Sequence, residues 1–192
     1  MLKRFQLLFN ISQSSHIARR YFVVNGFDGV LTMLGLLMGF YVSNEVELSI
    51  VIAACLGAAI ALSVSGISSA YISESAEKKQ ELKELEEAMI VDLQDSAHGQ
   101  AARFMPFLIA LVNGMAPFIF ALLIMTPLWL TQWQPGWVPY PLETSVAVAF
   151  TLVFLLGVFI GKISDSFWLW AGFRALFIAL ITSLLIYLIG II

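Results

Sequence analysis

Five stretches of the chain are long and apolar enough to cross a lipid bilayer as helices, and no other feature constrains the fold as tightly. A hydrocarbon core about 30 Å thick takes roughly 20 helical residues at ~1.5 Å each. The stretches run from Tyr21 to Val42, Leu48 to Ile72, Phe104 to Leu130, Thr144 to Ile160 and Phe167 to Ile192. Of the 192 residues, 60% are hydrophobic and 12% charged, whereas a soluble domain carries about twice that share of charge. So thin a charged shell cannot cover a globule of this size, and the surplus apolar surface must face lipid. The expected fold is an all-α integral membrane protein with five transmembrane helices.

The basic residues set an expected orientation. With a cytoplasmic N-terminus, Lys3, Arg4, Arg19, Arg20, Lys78, Lys79, Lys83, Arg103, Lys162 and Arg174 all fall on or near the cytoplasmic side. The opposite loops, Ser43–Glu47 and Gln132–Glu143, and the C-terminal end hold none. Cytoplasmic loops are the ones enriched in Lys and Arg. The expectation is a multi-pass protein of a cell or organelle membrane, N-terminus in the cytoplasm and C-terminus on the opposite side. Met1–Arg20 reads as an interfacial amphipathic helix, Leu2, Phe5, Leu8 and Phe9 sharing a face opposite Lys3, Arg4 and Gln6. It does not read as a signal peptide, because Phe5–Phe9 is short and Asn10, Ser12, Gln13 and Ser14 follow it. Residues 21–192 form the transmembrane domain. Within it Ser73–Gln100 is strongly polar and free of Pro, and is expected to prolong the second helix into the cytoplasm.

Polar groups inside the spans carry the functional signal. A carboxylate near mid-bilayer costs about 2.5–3.5 kcal/mol on insertion scales, so an intramembrane acid marks a functional site. Asp28 is such a residue in the first span. Asn25, Asp28, Thr32, Gly35 and Gly39 follow at spacings of three and four, giving one polar and small helix face. Ser65 belongs to a similar stripe with Ala54, Ala58, Ala61 and Ser68 in the second span. The third span holds Asn113-Gly114-Met115-Ala116-Pro117, where the proline leaves a backbone carbonyl free. Asn25, Asp28, Thr32, Ser65, Asn113 and Met115 are therefore candidates for a transport pathway. The same small residues also suit close helix packing, as do Gly157 and Gly161 in the fourth span.

The polar extension adds acids. Glu74, Glu77, Glu81 and Glu84 share a helix face, and beyond them Asp92, Asp95 and His98 recur every three residues. Together with Asp28 they are the candidate metal ligands, since carboxylates with an imidazole suit Fe²⁺, Mn²⁺ or Zn²⁺. The same charges would equally serve a solvated helix braced by pairs such as Glu74–Lys78. No HExxH, P-loop, CxxC or Ca²⁺-loop motif occurs, and His16 and His98 are the only histidines. An enzyme or an organic cofactor is not expected. Nor is a nucleic-acid partner, since there is no broad basic patch. Cys55 stands alone, so an intrachain disulfide is ruled out.

Four segments, NGFDGVLTMLGLLMGF from Asn25, SGISSAYISESAEKK from Ser65, ARFMPFLIALVNGMAPFIFALL from Ala102 and FRALFIALITSLLIYLIG from Phe173, resemble the vacuolar iron transporter family. That resemblance implies a five-span homodimer in lipid that moves Fe²⁺ or Mn²⁺ out of the cytoplasm. The metal would be the substrate, Asp28 would lie on its path at the dimer interface, and proton antiport would supply the coupling. The chain also departs from the family's pattern. Aligning Tyr71 with the family's tyrosine puts Gly66 where a pathway methionine would stand and Ala70 where a glutamate would. The family's membrane-embedded glutamate would fall near Ala58, and the cytoplasmic metal domain is cut to little more than one helix. Two functional expectations follow. One is a divalent-cation exporter; the other is a non-transporting membrane scaffold or partner-binding protein that keeps the fold without the ligands. A transporter of an organic solute is a third.

Overall fold

The computed structural model describes residues 14–43, 47–134, 136–164 and 167–191. Five helices make up nearly all of them: α1 (Ser14–Val42), α2 (Leu48–Met89), α3 (Ala97–Trp133), α4 (Pro141–Ile163) and α5 (Trp168–Ile191). All five are long and apolar enough to cross a membrane. The described residues contain no strand. The chain is thus an all-α, multi-pass membrane protein.

Two boundaries differ from the sequence expectation. The segment 1–20 was to form its own interfacial helix, but residues 14–20 continue into α1 without a break, and residues 1–13 lie outside the described set. The polar extension was to run helically to Gln100, but α2 stops at Met89. Ile90 turns the chain with φ at 54°. Asp92 then accepts the Gln94 backbone N–H at 2.9 Å, a side-chain turn that competes with helix. Ser96 caps the start of α3, its Oγ accepting the N–H groups of His98 at 3.1 Å and Gly99 at 3.3 Å. The stretch has no Pro, and no Gly before Gly99, which points to helix, but this polar turn chemistry overrides it. The extension itself is real. At ~1.5 Å per residue the 42 residues of α2 reach about 63 Å, roughly twice a hydrocarbon core.

The described residues divide into two compact units, one within 14–25 and 63–115 and the other within 26–62 and 116–191. The second unit holds the main apolar core, including Met33, Leu34, Leu37, Cys55, Ile124, Met125, Leu128 and Val153, all at 0% exposure. Its helices approach through small residues. A Cβ on Gly29 would lie 2.6 Å from the Pro117 backbone, and one on Gly157 or Gly161 would come within 2.8 Å of α5. Gly157 and Gly161 thus serve packing of the α4–α5 hairpin, which Phe154 and Phe173 brace edge to face at 5.7 Å.

The first unit is also tightly crossed. A Cβ on Gly114 would sit 2.4 Å from the Ser63 carbonyl oxygen, and one on Gly66 would sit 3.1 Å from the Gly114 Cα. The Asn113 Nδ2 donates to the Gly66 carbonyl at 2.7 Å, while its Oδ1 accepts from Asn25. Asn25 also donates to the Tyr21 carbonyl. Amides at this depth find protein partners because lipid offers none.

Candidate functional site

Two carboxylates stand out, one in each unit. Glu74, on α2 in the first unit, is 2% exposed. The Tyr21 hydroxyl of α1 hydrogen-bonds its carboxyl, and its Oε2 has no hydrogen-bond partner. The charges that act on it are those of Glu77, Lys78 and Arg20. Neither cation is committed to Glu74. Buried Lys78 bonds Glu81 at 2.7 Å, the pair that forms in place of the expected Glu74–Lys78 brace. Arg20 lies over the Tyr21 ring, 5.7 Å from its centroid. Lys78 and Glu81 also line a cleft of about 240 Å³ with Leu82, His98 and Ala101.

Asp28, on α1 in the second unit, is exposed on the surface of the single chain. Gly29 beside it turns inward against Pro117, so the helix faces Asp28 away from its own core. The apolar stretch of α1 begins at Tyr21, just after Arg19 and Arg20, and seven residues at ~1.5 Å put Asp28 about 10 Å in, well inside a hydrocarbon core about 30 Å thick.

The remaining pathway candidates separate. Asn25 and Asn113 are brought together, but they hydrogen-bond one another, and Asn113 also donates to the Gly66 carbonyl. Gly66, where the family resemblance would put a methionine, is spent on a helix crossing. Thr32 is half-buried, and Ser65 and Met115 are exposed.

The acidic residues do not assemble into a centre. Among the described residues no three His, Cys, Asp or Glu side chains lie close enough to share a metal ion. Glu77, Glu81 and Glu84 are exposed, Glu84 accepting from Gln80 at 3.0 Å. Asp92 and Asp95 sit in the α2–α3 turn and His98 on the first turn of α3, so these three do not share a helix face as their spacing suggested. The residue that sequence reasoning missed is Tyr21, and Lys78 was read with the wrong partner. Tyr21 meets Glu74 from another helix, 53 residues away in sequence, and no spacing rule reaches that far.

The chain is similar to an uncharacterized protein of Methanocaldococcus jannaschii, 29% identical over 173 residues, covering 88% of this chain and 87% of that protein. Neither a family model nor a solved structure matches. The class defined by these observations is a five-helix multi-pass membrane protein in which Glu74 is enclosed and Asp28 faces outward.

Proposed function

We propose that the protein is a divalent-cation transporter, exporting an ion such as Fe²⁺ or Mn²⁺ from the cytoplasm by proton antiport. Its cation path uses Asp28 at an interface between two copies of the chain. One observation carries this reading: a carboxylate about a third of the way into the apolar stretch of a spanning helix is left on the outside of its own chain. An acid there is costly in lipid, and the cost is met when a second copy covers it and a cation visits it. The N-terminus is cytoplasmic, so that the basic segments share one side of the membrane. The exposed Glu77, Glu81 and Glu84 then concentrate cations near the entrance through their field, without ligating them as a set.

A second reading, a scaffold or partner-binding protein without transport, is favoured by the lack of any three-ligand group among the described residues. Uptake of Mn²⁺ by the full chain in proteoliposomes separates the two. A transporter shows flux that Asp28→Ala abolishes. Flux unchanged by Asp28→Ala ends the Asp28 path, and a wild-type chain that neither moves nor binds Fe²⁺, Mn²⁺, Co²⁺ or Zn²⁺ by calorimetry is the scaffold.

A further inference from the structure

Glu74 differs from every other acid of the polar extension, and the difference is chemical. Its neighbours Glu77, Glu81 and Glu84 stand in the open, where water satisfies them. Glu74 is 2% exposed, with one oxygen unpartnered. A buried carboxylate persists as an anion only when paired and fully hydrogen-bonded; otherwise the group neutralises. The groups around it do not supply the pairing. From α1 come Tyr21 and Arg20, and from α2 come Glu77 and Lys78. Glu77 repels a second negative charge, Lys78 is bonded to Glu81, and Arg20 is stacked on the Tyr21 ring. On α3 the ionisable residues at the same end, His98 and Arg103, are exposed, and Arg103 donates to Gln94.

We infer that Glu74 is a proton-binding site, a neutral carboxylic acid carrying its proton on Oε2 while Tyr21 holds the rest of the carboxyl in place. This assignment also fits the lack of any three-ligand group around Glu74 among the described residues: a carboxyl that keeps its proton is a poor metal ligand. Its use in transport, as the residue that carries the counter-proton, rests on the reading of the protein as an antiporter. The bound proton itself does not depend on that reading.

Infrared spectroscopy of the full chain in nanodiscs near neutral pH, without metal, tests the inference. The expected spectrum contains the carbonyl stretch of a protonated carboxylic acid, lost in Glu74→Gln and kept in Asp28→Asn. Tyr21→Phe removes a hydrogen bond to the same group and should shift the band to higher wavenumber, which decides the matter even if Glu74→Gln fails to fold. A wild-type spectrum without the band, or a band indifferent to both Glu74→Gln and Tyr21→Phe, overturns the proton assignment whatever the flux assays give. A band that depends on Glu74 in a protein that moves no metal keeps the proton site and removes only the antiport reading.

Discussion

Glu74 and Asp28 are both acids on membrane-spanning helices, and the fold treats them in opposite ways. Glu74 is enclosed by its own unit, with a tyrosine beside it and one oxygen left over. Asp28 is turned outward by a helix whose next residue, Gly29, is pressed against Pro117. What the chain encloses, it must complete from within. What it leaves outside must be completed by something else, a second copy or a passing ion. Substitutions on the enclosed side should therefore cost stability, and those on the open side should cost function.

The largest effect expected is functional. Asp28→Asn should bring Mn²⁺ flux in proteoliposomes down to the protein-free background while leaving the chain's thermal unfolding in detergent unchanged; a large loss of stability would mean that Asp28 is a packing residue and would erase the contrast. Next comes Gly29→Ala, whose new Cβ meets backbone at 2.6 Å. Overpacking of that kind costs about 1–3 kcal/mol, read as a lowered unfolding midpoint. Asn113→Leu, similar in volume, removes two hydrogen bonds and should cost about 1 kcal/mol, at roughly 0.6 kcal/mol each for interhelical bonds in a membrane. The smallest effect on the isolated chain belongs to Gly39→Ala. Nothing lies within 4 Å of that Cβ, so the stability of a single chain should change by less than about 0.5 kcal/mol. Should a second copy cover this face, the same substitution would instead weaken the dimer, and size-exclusion chromatography with light scattering would detect it.

Much of the fold was legible because lipid makes the rules simple. The apolar stretch from Leu48 onward had to be a helix, since backbone polar groups in lipid must be satisfied locally, and α2 does begin at Leu48. The Gly157 and Gly161 pair was readable as packing for the same reason. The end of α2 was not, because Asp92 and Ser96 act through side-chain turns and caps that an acidic run conceals. Nor was the site fully legible. Hydropathy flagged Asp28, but Glu74 looked like one member of an exposed acidic face. Its enclosure depends on Tyr21 arriving from α1, a tertiary event that a helical period does not encode. Asn113 shows the converse: a polar residue at depth suggested a pathway, and the fold spends it on holding Asn25 and the Gly66 carbonyl.

Anomalous diffraction from crystals of the full chain soaked in Mn²⁺ puts the outward-facing acid to the most direct trial. The account predicts a peak beside Asp28, shared between two copies of the chain across their contact. Crystals with Asp28 against bare lipid or detergent and no signal near it would contradict the account.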